Sequence, residues 1–308
     1  MTTLHVACAS DTAYAPHSAA TLHSVISHRD GLDVHVHYLH GPGFSESAIT
    51  LLRRMIEGAG ARIDFICIPD EKMAGLARVG HQTPPTWYRI FLPELLPDVD
   101  TILYLDCDCI VVDSLRPLWE TDLRGHYLGA VTNVFEPFYL ERIEVLGLPA
   151  PDAYFNAGVL LLNLDLMRQD HCSQALLEYA TTERDKLMWV DQDTLVAVLG
   201  GRRLALHPRW NCMNSVMHFA WAGDTLGAYL VAEARRNPGI RHFEGPPICK
   251  PWHYMCEQSM QEVYFDHRRE TPWPRVRIEG VSARNVASRL VRRARARMAG
   301  RPVSAGAI

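Results

Sequence analysis

Asp106 and Asp108 stand two apart in the stretch LDCDCIVV, residues 105–112, interleaved with Cys107 and Cys109. In an extended chain residues two apart share a face. The spacing therefore predicts that both carboxylates can meet one cation at a strand end while the two cysteines point away. Neighbouring carboxylates repel unless a cation or hydrogen-bond donors compensate them. An all-oxygen pair suits Mg2+ or Mn2+ better than a soft metal. The same spacing also suits a solvated turn or a helix cap. A zinc site on Cys107 and Cys109 has no second close cysteine pair to complete it.

Four further groups carry polar side chains at element boundaries. In RHFEGPPICKPW, His242 is an imidazole ligand or a structural hydrogen-bonding residue, Gly245 permits close backbone approach, and Lys250 is a flexible cation suited to phosphate. WVDQD opens a helix with Asp191, Gln192 and Asp193, a pattern first read as a helix cap. Asn156 precedes an apolar run in YFNAGVLLLN. Arg89 follows two aromatics in WYR, placed to contact a diphosphate, a sugar or a buried acid.

The elements that must position these groups follow from local pattern. LHVACA reads as a first strand ending near Asp11, LDVHVHYLH as an alternating second strand, RIDFICIP as a third and DTILYLDCDCIVV as a fourth. Helices are expected over YAPHSAATLHSVISHR and SESAITLLRRMIEGAG, the latter with a capping box at Ser45 or Ser47. Mostly apolar strands alternating with helices predict a mainly parallel sheet covered on both faces. Ligands of such sheets bind beyond the strand C-terminal ends, where Asp11 and Asp106 fall.

The 308 residues are 48% hydrophobic, enough for one large core. A net charge of -4 gives no global reason to expect nucleic acid. The eight cysteines form no C-x-x-C pair and read as reduced, buried thiols of a cytoplasmic protein. Neither a signal peptide nor an apolar run of spanning length is visible. The last acidic residue is Glu279, and Arg284, Arg289, Arg292, Arg293, Arg295, Arg297 and Arg301 follow it. We therefore divide the chain into a body, 1–280, and a basic tail, 281–308. In the tail Val286, Leu290, Ala294 and Met298 recur every four residues as one apolar stripe on an arginine-rich helix. Such a helix suits the anionic inner face of a membrane. A disordered basic tail is the plain alternative, and RNA binding lacks interleaved aromatics.

Taken in order, ASDTAYA, WYRI, LYLDCDCIVVDSL, FNAGVLLLNL, WVDQDTL and RHFEGPPICKPW resemble glycosyltransferase family 8, the retaining nucleotide-sugar-dependent family with bacterial lipooligosaccharide and lipopolysaccharide galactosyl- and glucosyltransferases among its members. The resemblance spans Leu4 to Trp252. It implies an α/β fold, a single Rossmann-like nucleotide-sugar-binding domain of GT-A type with a mostly parallel mixed sheet. It implies that Ala9 and Asp11 hold the uracil of a UDP-sugar. Asp106, Asp108 and His242 would bind Mn2+, or Mg2+, bridging the diphosphate, and Gly245 and Lys250 would hold the phosphates. Arg89, Asn156, Asp191 and Gln192 would surround the donor sugar, with Gln192, Asp191 and Asn156 the catalytic set.

The implied reaction moves galactose or glucose to a saccharide or lipid-linked glycan with retention. Gln192 is a poor nucleophile, so front-side attack is expected, with Asp191 accepting from a sugar hydroxyl. Three departures stand out from the family pattern. Two extra residues separate Gly245 from Lys250, Ala13 replaces a polar residue near the nucleotide, and Asn133 stands where relatives carry an acidic acceptor-site residue. A catalytically silent nucleotide-sugar-binding protein and a metal-dependent phosphoesterase are the competing readings.

Overall fold

The computed structural model describes residues 2–77, 83–275 and 277–298. Seven strands form one mixed sheet in the order β3-β2-β1-β4-β7-β6-β8. They are β1 (Thr3–Ala9), β2 (Asp33–His40), β3 (Arg62–Cys67), β4 (Thr101–Leu105), β6 (Leu128–Ala130), β7 (Val159–Asn163) and β8 (Arg203–Ala205). Neighbours pair in parallel except where β7 meets β4 and β6. The mostly parallel mixed sheet expected from the sequence is what forms. β5 (Cys109–Val111) and β9 (Ile240–His242) make a separate antiparallel pair.

Both faces of the large sheet are buried, which is why its strands are apolar almost throughout. Alternation splits each strand between two cores. Leu4, Val6 and Cys8 of β1, Leu103 and Leu105 of β4, and Val159 and Leu161 of β7 join one core. Ala7, Ala9, Ile102, Tyr104, Leu160 and Leu162 join the other. Helix α1 (Ala15–Ser27) starts with a proline in its first turn and ends without one. Its His17 ring stacks on Trp252 at 3.6 Å and lies 2.6 Å from the Tyr264 hydroxyl. This contact docks the helix Gln261–Arg269 onto α1 and gives the tryptophan of CKPW a packing role.

Two local expectations are corrected. The second helix, α2 (Glu46–Gly58), has Ser45 at its N-cap but no capping box, because the Ser45 hydroxyl pairs with Ser47 Oγ at 2.7 Å. The residue three positions after Ser45 is Ala48, which cannot reach back as a glutamate would. More consequentially, residues 101–111 are not one strand. β4 stops at Leu105, the amide of Cys109 donates to Asp106 O at 3.1 Å, and the chain turns into β5. Asp106 to Cys109 is thus a tight turn between two sheets, and strict alternation does not govern which way its side chains point.

In the tail a helix runs over Ala283–Met298. Arg289 anchors it, buried and donating to Tyr254 O at 2.7 Å, while Leu290 and Val291 are exposed. The side chains of Ala294 and Met298, and residue Arg301, lie outside the described residues. Among the described residues no helix is long and apolar enough to cross a membrane.

Candidate active site

Two adjoining cavities open beyond the C-terminal ends of β1 and β4, where the parallel pairing of those strands brings Asp11 and Asp106 to the same end of the sheet. The smaller, about 240 Å³, is lined by Ala9, Asp11 and Tyr14 among others. The larger, about 610 Å³, is lined by Asn156, Asp191, Gln192 and His242, together with Asn133, Phe135, Tyr139 and Trp189. Arg89, Asp106, Asp108, Gly245 and Lys250 line both. Every predicted site residue therefore reaches one of these two cavities. Ala13 is exposed and lines neither.

Asp108 is buried with a cation and an imidazole beside it. Its Oδ2 accepts from the Lys250 ammonium, and its Oδ1 lies 3.3 Å from His242 Nε2. Burial alone would raise its pKa, but the Lys250 ammonium holds it well below the usual carboxylate range. Lys250 also donates to Phe243 O at 2.9 Å. The two extra residues ahead of it are taken up by a 3-10 turn, Pro247–Cys249, so the lysine still returns to the turn carrying Asp108. Gly245 enters this loop at φ +98, a conformation that strains any residue with a Cβ.

The His242 ring is fixed by a chain of hydrogen bonds that leaves little freedom. The Gly158 amide donates to Asn156 Oδ1 at 3.0 Å, so that atom is an oxygen. Asn211 Nδ2 then donates to the same oxygen at 2.8 Å, which leaves Asn211 Oδ1 facing His242 Nδ1 at 2.9 Å. Nδ1 must carry the proton, and a neutral ring points the bare lone pair of Nε2 at a carboxylate oxygen. Two acceptors facing each other call for a positive charge between them. This donor pair, supported behind by Asn211, fits a hard or borderline divalent ion.

The buried atoms of Asp108, Cys109 and His242 that could hold a metal lie within 4.8 Å of one another. The Cys109 thiol is pushed up by burial and donates to Gly158 O at 3.5 Å, so it stays protonated in this setting. Its position near the cluster corrects the expectation that it points away from the aspartates. Asp106 reaches the same cavity but lies outside that cluster. Its Oδ1 accepts from Arg89 Nη2 at 2.8 Å and from the Tyr104 hydroxyl at 3.1 Å.

Gly158 was not singled out by the sequence reading, although it makes the site possible. A Cβ there would stand 2.2 Å from His242 Cε1. Gly158→Ala is expected to displace the imidazole and weaken divalent-ion binding at least about 10-fold, with the fold retained. Calorimetric titration with Mn2+ and circular dichroism check the two halves of that statement.

Arg89 joins the two sides of the cleft. It is buried, lies over the Tyr104 ring at 4.2 Å, and donates to Thr86 O, Ala157 O and Asp106. Burial would lower its pKa, yet Asp106 and Asp191 raise it further above the ordinary value. Asp191 Oδ2 lies 3.0 Å from Arg89 Nε, whose proton goes to Thr86 O, so this pair is held by charge rather than by a hydrogen bond. Gln192 Oε1 accepts from the Ala157 amide at 2.9 Å and from Asn156 Nδ2 at 3.2 Å. Asp193 faces away, accepting from Arg142, Tyr154 and the amides of Met188 and Trp189. The cap expected of WVDQD does not form, because the N-cap residue is Trp189 and Asp193 instead reaches back to the amides of Met188 and Trp189, whereas Asp191 and Gln192 line the cavity.

Burial pushes Asp191 up to about 7 despite Arg89. Its native pKa lies above the unfolded value, so the native state holds the proton more tightly. Stability linked to this group is present below about pH 4 and is lost as pH rises through about 7. Between pH 5 and 8, Asp191→Asn is expected to lose less stability than the wild type, with each unit of displacement worth about 1.4 kcal/mol. Urea midpoints of the metal-free proteins at the two pH values measure this difference.

Polar groups around a caged carboxylate at the C-terminal strand ends of an α/β sheet form a site where ligands of such sheets bind. The chain matches Glycosyl transferase family 8 over residues 5–256 and belongs to that family. It is a glycosyltransferase of GT-A-like fold with a candidate divalent-metal site. It is 26% identical to General stress protein A of Bacillus subtilis over 88% of this chain and 94% of that protein. It is 22% identical to a putative glycosyltransferase of Haemophilus influenzae over 82% of this chain and 74% of that protein. The structure superimposes on the galactosyltransferase LgtC, solved with donor and acceptor sugar analogues, with a TM-score of 0.77. That match is 28% identical and covers 87% of this chain and 96% of that one. An active-site mutant of LgtC, a glutamine changed to glutamate, matches with a TM-score of 0.74.

Proposed function

We propose that this protein transfers galactose or glucose from a UDP-sugar to a saccharide or glycolipid acceptor, with retention and with Mn2+ as the metal. The observation that carries the reading is the cluster of Asp108, His242 and Lys250 where two adjoining cavities of about 610 and 240 Å³ meet. Asp106, Asp108 and His242 would hold the ion. When bound, it supplies positive charge to the diphosphate that departs.

The chain's own residues do the rest. Ala9 and Asp11 line the smaller cavity and hold the uracil. Lys250 donates to Asp108 and Phe243 O, which leaves one of its three protons for a phosphate oxygen. Gly245 lets the backbone approach the same phosphates. Three of the five N–H donors of Arg89 go to Thr86 O, Ala157 O and Asp106, so it aims Asp106 and Asp191 and keeps two N–H groups beside the donor sugar. Asp191 accepts from a sugar hydroxyl. Asn156 and Tyr154 brace Gln192, whose Nε2 donates to the Tyr154 hydroxyl at 3.1 Å and keeps one N–H for the sugar face.

Asp191 is 2% exposed and paired with Arg89, a poor setting for a nucleophile. Front-side attack follows: the acceptor hydroxyl enters on the face that UDP leaves, and the departing phosphate oxygen takes its proton. Phe135, Tyr139 and Trp189, packed on one another in the wall of the larger cavity, offer aromatic surface for the acceptor sugar. A panel of UDP-hexoses and glycan acceptors, with product anomers assigned by NMR, tests this reading. Retained configuration supports it. An inverted product, or a trapped glycosyl ester on Asp191, counts against front-side transfer.

The tail and the compartment belong to the same reading. All eight cysteines are free, as suits a reducing cytoplasm. With Leu290 and Val291 exposed beside arginines, the tail helix suits peripheral contact with the anionic inner face of the cell membrane. Cosedimentation with anionic vesicles, lost on removing 281–308, is the expected result; equal binding by the truncated chain rules that contact out.

A further inference from the structure

A second set of metal-competent side chains lies at the other end of the sheet. His5 of β1 is the register partner of His35 of β2, and His37 follows two residues on, so all three rings share one face. His5 Nδ1 is 2.9 Å from His37 Nε2, and the ring centroids of His35 and His37 are 4.3 Å apart. One ligand atom from each ring lies within 4.8 Å of the others. His5 precedes Ala9 by four residues, which places the cluster roughly 13 Å from the cleft along β1.

We propose that His5, His35 and His37 bind a transition-metal ion of the zinc class, with Asp64 of β3 as the supporting carboxylate. Imidazole nitrogens are donors that zinc prefers. His37 is 3% exposed and its Nδ1 has no hydrogen-bond partner. His5 Nδ1 and His37 Nε2 can pair as one donor and one acceptor, but that pairing leaves the buried His37 Nδ1 without a partner. An ion takes a lone pair from each ring at once.

Two donors on tetrahedral zinc sit roughly 3.3–3.4 Å apart, so His5 and His37 need to open by only a few tenths of an ångström. Asp64 Oδ2 pairs with His35 Nε2 at 2.7 Å, the place of a carboxylate that orients a ligating imidazole through its other nitrogen. Burial pushes His37 down to about 3 and lowers His5 as well, which keeps both rings neutral and able to ligate. The His35 side chain is 16% exposed and Asp64 is 64% exposed, so an ion can enter from solvent. Bound there, the ion ties β1, β2 and β3 together at the strand ends away from the cleft.

The test uses the full chain carrying Asp108→Asn together with Lys250→Met, so that the cleft does not compete and no buried cation is left unpaired. Zn2+ binding by calorimetry, and the visible spectrum with Co2+ as probe, are compared with the same chain bearing His5→Gln, His35→Gln or Asp64→Asn. One equivalent of Zn2+ should bind and raise the melting temperature. Affinity should fall at least 100-fold on losing His5 or His35, and 10–100-fold on losing Asp64. His5 and His35 are chosen because they are only partly buried, and circular dichroism verifies that the variants fold. Absence of a Zn2+ equivalent, or binding unchanged in both histidine variants, overturns the proposal.

Discussion

Asp108→Asn is expected to lower turnover about 1000-fold, a loss of the size seen when a charge-stabilising group is removed from a transition state. The substitution keeps the shape but removes the charge that Lys250 and His242 share. It also leaves Lys250 buried without its counter-ion, which destabilises the fold by up to about 3–5 kcal/mol. A second substitution separates the two effects. Adding Lys250→Met to Asp108→Asn removes the orphaned cation, so the denaturation midpoint should recover while turnover does not. If activity returned with stability, Asp108 would be a structural residue and the reading of the cleft would change.

Arg89→Met should be the most disruptive single change in the cleft. Arg89 is the buried cation paired with both Asp106 and Asp191. Removing it strands two carboxylates, one of them almost fully buried, at a cost on the order of 3–5 kcal/mol. Thermal melting of Arg89→Met against Arg89→Met/Asp191→Asn tests this. The double variant should regain much of the loss, because a neutral amide no longer needs the guanidinium. Equal melting temperatures would show that Arg89 stabilises through its bonds to Thr86 and Ala157 rather than through charge.

Much of the architecture was legible because its causes are local. The apolar runs of β1, β2 and β4 and the helices between them encode a sheet buried on both faces, and site residues beyond strand ends follow from that. Alternation failed at Asp106–Cys109. The stretch reads as one strand because every residue around the aspartates is apolar, yet the turn is set by a distant partner: β9 pairs with Cys109–Val111 and pulls the chain into a second sheet. No local pattern carries that information.

The site was legible where charge or a motif marked a residue and silent where shape did. Asp108, His242 and Lys250 were visible as types. Gly158 and Asn211 were not, since a glycine beside an apolar strand and an asparagine in RWNC look ordinary until the imidazole between them is seen. Their signal is spacing in space, one leaving room for the ring and the other fixing its proton. Lys250 shows the converse. Two extra residues lengthen its loop, and the 3-10 turn over Pro247–Cys249 absorbs them, so the lysine still reaches Asp108.

The central claim is a metal-dependent transfer from a UDP-sugar at the cleft between Asp11 and Trp189. The most direct measurement is product release from UDP-hexose by protein stripped with chelator and then titrated with Mn2+. The expected result is no turnover in the stripped protein, activity restored by Mn2+ in the wild type but not in Asp108→Asn, and equal amounts of UDP and hexose, free or transferred. Full turnover without metal, release of inorganic phosphate, or Mn2+-dependent UDP binding with no products at all would contradict it.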